Sequence, residues 1–296
     1  MPSRTGLLWA LECLAWKPQN LPRVSMILAR LTQKIIDDNW ANKTESSLQA
    51  IFQSWIPQTA ASVGERLNIL EMLTKLFPDI VWEICIEQIR TRSMISSYSY
   101  RPRWRNDASG AGQVATHQEI DDFCQRALAL MIAWCSHNEK TLGDLVESLE
   151  GMPEEDQAKV WDLIDEWPQN ADEYDKAALR ERIRVFALTR QSQRRKLVDT
   201  IRNRAREAYD SLQPRDLLIH HSWLFTKQWV QESLEELEDE NFDYSFTSVK
   251  LPVPSVVMRL IVWLMLDLSE FIRHCLSVEE ELRSKAEWCL QGLLPI

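Results

Sequence analysis

Glycine is scarce here, with seven in 296 residues. Glycine lets the backbone take positive φ at tight turns and approach phosphates closely. A chain this short of it has little scope for hairpins or phosphate cradles, and neither GxxxxGK(S/T) nor GxGxxG occurs. HExxH is missing as well. The six cysteines, Cys13, Cys85, Cys124, Cys135, Cys275 and Cys289, form no CxxC pair and sit in apolar helical patterns. That argues for free thiols in a reducing, cytoplasmic setting, without disulfides or zinc. No cofactor or metal is expected. The most apolar window, "RLIVWLMLDL" at 259–268, falls far short of the roughly 20 residues a membrane span needs. Glu12 interrupts the apolar run near the N-terminus and no small-residue cleavage site follows, so no signal peptide is expected.

What is abundant is helical periodicity. Val24, Ile27, Leu28, Leu31 and Ile35 share one face of a helix, as do Leu67, Leu70, Leu73 and Phe77. Pro22 suits a first turn after Asn20. Capping-box spacing occurs at Ser62/Glu65, Thr116/Glu119, Thr141/Asp144 and Ser277/Glu280, each just before an apolar-periodic run. The pattern predicts thirteen helices, near 7–16, 22–36, 44–54, 63–76, 79–92, 117–136, 141–149, 154–166, 171–189, 193–211, 216–238, 255–275 and 278–292, with prolines at or near most junctions. Only 242–253 is friendly to a strand, and two prolines near its end weaken it.

The expected fold is therefore all-α, an irregular α-solenoid of stacked helical hairpins, HEAT- or TPR-like, with little or no sheet. The expected organisation is N-terminal hairpins over 1–95, a loop rich in Arg, Trp and Gly over 96–116, a charged helical region over 117–240 and a hydrophobic helical hairpin over 241–296. The break falls best at 93–116, a long gap without periodicity.

Charge narrows the function. The net charge of −10 disfavours a general nucleic-acid binder. It is uneven: residues 117–178 carry sixteen acidic and four basic side chains, and residues 179–210 carry four and ten. The basic segment 179–206 has apolar stripes of its own and no interleaved aromatics to stack bases. Its arginines are expected to pack beside acidic helices or face water, and a nucleic-acid-binding helical module is the alternative. The five histidines and the carboxylate sets Asp121/Asp122 and Glu154/Glu155/Asp156 read as structural, the latter as helix-start electrostatics. No nucleophile, base and orienting group can be assembled, so an enzyme is not expected.

The candidate partner-binding residues are Arg101, Arg103, Trp104 and Arg105, in "SYRPRWR". Arginine is a fork-shaped donor that also stacks on rings, so this cluster suits a carboxylate, a phosphate or a partner's loop. Alternatively Trp104 is a buried plug between hairpins and the arginines cap helix C-termini.

The segments "GLLWALECLAWKPQNLPRVSMILARL", "NWANKTESSLQAIFQSWIPQTAASVGERLNILEML" and "SYRPRWR", in that order, resemble a helical region near the C-terminus of large bacterial anti-phage defence proteins of the signal-transducing NTPase type with numerous domains. The resemblance covers residues 6–106 and thins toward 230. It implies a non-catalytic sensor or scaffold segment that binds a protein partner. Nucleic acid and membrane are not expected partners, and the oligomeric state is left open. The family's ATPase residues have no matching positions here. A fragment, a degraded gene and a stand-alone helical partner remain alternatives.

Overall fold

The computed structural model describes residues 4–34, 43–90, 102, 114–169, 171–189, 192, 197–216 and 219–220. Among these residues lie ten α-helices and no strand, so the chain is all-α as expected. It forms two compact units, residues 1–135 and 136–296.

Unit 1 holds α1 (Arg4–Ala15), α2 (Leu21–Thr32), α3 (Thr44–Phe52), α4 (Val63–Thr74), α5 (Pro78–Arg90) and α6 (His117–Ile132). A short 3-10 turn, Pro18–Asn20, folds α2 back on α1, with proline in the first turn of α2. Helix α3 covers α1 and α2. Helix α6 follows the 96–116 segment yet packs against both α4 and α5, so this unit runs past the gap in periodicity. Its buried apolar side chains include Leu8, Leu28, Phe52, Leu70, Trp82 and Phe123. Trp82 meets Trp134 edge to face, with centroids 5.2 Å apart and planes at 73°, an arrangement that sets a ring's positive edge on its neighbour's negative face.

Two helix starts are the capping boxes that the spacing predicts. Ser62 Oγ accepts from the Glu65 backbone N–H at 3.3 Å, and the Ser62 N–H donates to Glu65 Oε2 at 2.8 Å. Thr116 and Glu119 repeat this at 3.3 and 2.9 Å. The backbone N–H of each cap first, and its hydroxyl second, donate to the carboxylate (hydroxyls at 2.9 Å for Ser62 and 2.8 Å for Thr116) and hold both carboxyl groups below the usual carboxylate range.

The connection between α3 and α4 is buried, which is unusual for a segment outside regular structure. Several of its polar groups are therefore paired internally, although the buried Trp55 indole N–H has no partner. Thr59 Oγ1 donates to the Ala15 carbonyl at the end of α1 (2.7 Å), the Ala60 N–H to the Trp16 carbonyl (3.1 Å), and the Ser54 N–H to Gln88 Oε1 on α5 (2.8 Å).

Unit 2 holds α7 (Glu139–Ser148), α8 (Glu154–Glu166), α9 (Glu173–Ala187) and α10 (Asp199–Ser211). Each of α7 and α10 packs on both α8 and α9. The core is made by Leu142, Leu145, Val160, Trp161, Leu179, Ile183, Phe186, Ile201 and Ala205.

One expected start is corrected. Helix α7 begins two residues before the predicted 141, and its cap is Asn138 rather than Thr141. Asn138 Oδ1 accepts from the Thr141 N–H, and Thr141 Oγ1 accepts from the Asn138 N–H, both at 2.9 Å. Thr141 thus serves as the third residue of the box, and Asp144 is free to pair elsewhere. The pair Ser277/Glu280, the helices expected beyond 220 and the 241–296 hairpin lie outside the described residues.

Candidate interaction surface

Helix α1, RTGLLWALECLA, has apolar residues around its whole circumference and one charge in its body. A helix that is apolar all round is ordinarily covered on every side. Here Leu8, Leu11 and Ala15 face the core, and the charged residue goes with them. Glu12 is buried and accepts from Ser47 Oγ of α3 at 2.7 Å. The outward side carries Leu7 (49% exposed), Trp9 (45%), Ala10 and Leu14 (40%). Leu7, Ala10 and Leu14 fall at i, i+3 and i+7, one stripe of the helix. The usual polarity is inverted, with the carboxylate inside and Leu7 and Leu14 half-exposed to water.

The neighbouring helix α2 exposes Arg23, Ile27 and Arg30. Across residues 5–34 the basic side chains are Lys17, Arg23, Arg30 and Lys34, and the only acidic one is the buried Glu12. The charge that this hairpin shows to solvent is of one sign.

Unit 2 treats its basic helices differently. Arg182 on α9 reaches across α7, its Nη2 2.7 Å from Asp144 Oδ1, its Nε 2.8 Å from Glu147 Oε1 and its Nη1 2.9 Å from the Lys140 carbonyl. Gly143 makes room: a Cβ there would overlap the guanidinium. Arg204 on α10 lies 2.7 Å from Asp165 of α8 and 2.6 Å from Glu207. Arg184 holds Glu181 bidentately, at 2.7 and 3.1 Å, with both side chains buried. Arg180 stacks 3.6 Å from the Tyr209 ring and donates to the Tyr209 carbonyl, while burial pulls its pKa down. Arg202 pairs with Asp199. The basic helices lie against acidic ones, as the charge pattern predicts.

Arg101, Arg103, Trp104 and Arg105 lie outside the described residues; of that segment only Pro102 is described, and it is buried. The structure therefore neither assembles nor separates those four residues. The basic positions 190 and 194–196 lie outside as well. The inversion of α1 is not legible in "LLWALECLAW", where a lone acid in an apolar helix is expected to mark the side that meets water.

Other chemistry finds little footing. Burial pushes the Cys85 thiol up to about 12 and raises that of Cys124, so neither is an activated nucleophile. Among the described residues no group of His, Cys, Asp and Glu is placed to hold a metal, and no helix is long and apolar enough to cross a membrane. No family model, no curated protein and no solved structure matches this chain.

Proposed function

We propose that the chain is a non-catalytic, protein-binding helical scaffold or sensor segment, cytoplasmic and of the irregular solenoid type. The observation that carries this is the outward face of α1. Exposed contiguous apolar surface on a folded helix marks a place where something docks, and α1 sets two leucines and a tryptophan there while burying its carboxylate. The resemblance of residues 6–106 to the sensor region of defence NTPases suits the same role. The nucleic-acid alternative is disfavoured because Arg182, Arg184, Arg202 and Arg204 are already engaged by carboxylates. Lifting them onto phosphates would break those pairs.

The test is a photo-reactive residue at Ala10 of the full chain, in its native cells. A discrete protein adduct, lost when Leu7→Glu and Leu14→Glu are introduced together, supports the reading. No adduct above the level given by the same probe at an exposed site in unit 2 overturns it.

A further inference from the structure

We infer that the occupant of the α1 face is an acidic amphipathic helix of a partner protein. This rests on the scaffold reading and names the chemistry of its partner. Three features lead to it.

The first is shape. Leu7 and Leu14 stand two turns apart on one stripe with the small Ala10 between them. Ridges separated by a small residue form the kind of hole that a facing helix fills with one large side chain. The second is polarity. Along the stripe itself Leu7, Ala10 and Leu14 offer no side-chain hydrogen bond, so the face of the partner that meets them must itself be apolar. The third is the field. Helix α2 packs beside α1, and packed helix axes lie about 8–10 Å apart. That is close to the Debye length of about 8 Å at physiological salt. Arg23 and Arg30 on α2 therefore act on a ligand lying along α1, as does Lys17 just beyond its end. No exposed acid within residues 4–34 offsets them. A partner helix with leucines on one face and Asp or Glu on its flanks satisfies all three conditions. A basic or neutral one satisfies only two.

Two synthetic helical peptides test this on the full chain. They share one leucine face; one has Glu at the flanking positions and the other Lys. Fluorescence anisotropy should show the Glu peptide binding at least about tenfold more tightly, a gap of about 1.4 kcal/mol, which narrows as salt is raised. Leu14→Glu should weaken its binding by about tenfold or more. Arg23→Glu with Arg30→Glu, both at exposed positions that leave the fold intact by circular dichroism, should remove or reverse the preference. Equal binding of the two peptides, or binding of neither, overturns the inference. So does binding to phosphatidylserine vesicles with none to peptide, which would make the face a membrane contact. So does loss of peptide binding through self-association by sedimentation, which would make the occupant a second copy. An adduct at Ala10 with no charge preference sinks the acidic-helix inference and leaves the scaffold reading standing; no adduct and no peptide binding sinks both.

Discussion

Arg66 in unit 1 and Arg184 in unit 2 are almost equally hidden, at 1% and 2% exposed, yet their surroundings differ. Arg184 carries its counter-charge with it, since Glu181 stands one turn earlier on the same helix and takes it bidentately. Arg66 has no carboxylate in contact. Its Nη1 donates to the Gln53 carbonyl at 2.8 Å, the Phe123 ring of α6 lies 4.6 Å from its guanidinium carbon, and its buried Nε has no partner. Glu119 attracts it through space, but both Thr116 donors hold that carboxylate in the α6 cap. Burial accordingly draws the Arg66 pKa down to about 10. The difference teaches that burial of a cation says little about stability until its counter-ion is located. A pair leaves an orphan when broken, and an unpaired cation leaves none.

The largest effect should come from breaking the pair. Arg184→Met, which leaves Glu181 without its bidentate partner, should cost about 3–5 kcal/mol. Urea denaturation with hydrogen exchange read on α9 peptides measures it, and a loss under about 1 kcal/mol would break the comparison. Arg66→Met should move the other way, stabilising unit 1 by about 1–2 kcal/mol, because a desolvated charge is exchanged for a methylene chain of similar volume. The same measurement on α4 and α6 peptides decides it, and destabilisation beyond about 1 kcal/mol would show that the ring and carbonyl compensate fully.

Gly143 sharpens the unit 2 side. Glycine inside a helix ordinarily costs about 1 kcal/mol relative to alanine, so Gly143→Ala alone ought to help. Instead the methyl would displace the Arg182 guanidinium from Asp144, Glu147 and the Lys140 carbonyl, for a net loss of about 1 kcal/mol. In an Arg182→Ala background the same change should gain about 1 kcal/mol. A double-mutant cycle on melting temperature reads the change of sign, and one sign in both backgrounds refutes the seat.

The smallest effect concerns the unit 1 caps. Ser62→Ala should cost about 0.5–1 kcal/mol at neutral pH. A carboxyl whose folded pKa is lowered adds stability that is complete above the unfolded value, about 4.3 for Glu. It is lost as pH falls through the folded value. Unit 1 should therefore weaken below about pH 4.3, and Ser62→Ala should flatten that slope in thermal melts across the acid range. An unchanged slope would assign the acid sensitivity to other carboxylates.

Local features were the most legible in the sequence. Ser62/Glu65 and Thr116/Glu119 mark helix starts because the cap and its partner are three residues apart. Thr141/Asp144 has the same spacing and misleads, since Asn138 competes for the same turn and a pattern cannot weigh two caps. Arg66 reads as an ordinary surface arginine on an amphipathic helix. Its burial depends on α6 arriving from more than fifty residues away, which no local pattern encodes. The opposite-charge helices of unit 2 were legible as segments but not as pairs: nothing in the spacing matches Arg182 to Asp144. The side of α1 that meets water was likewise hidden, because a uniformly apolar helix gives periodicity nothing to point with. The candidate residues Arg101, Arg103, Trp104 and Arg105 lie outside the described residues.

The buried connection between α3 and α4 has a practical bearing on how this chain can be cut or extended. Loops are normally where proteases nick and where insertions are accepted. Residues 54–61 should behave as core instead, since Thr59 closes the end of α1 and Ser54 is tied to α5. Cleavage after Trp55 by a protease specific for aromatic residues should wait for unit 1 to open as a whole, so its rate becomes a clock for that opening. An epitope tag spliced here should abolish expression of folded protein. The same tag at the exposed Gly151, with open space where a side chain would sit, should be carried without loss.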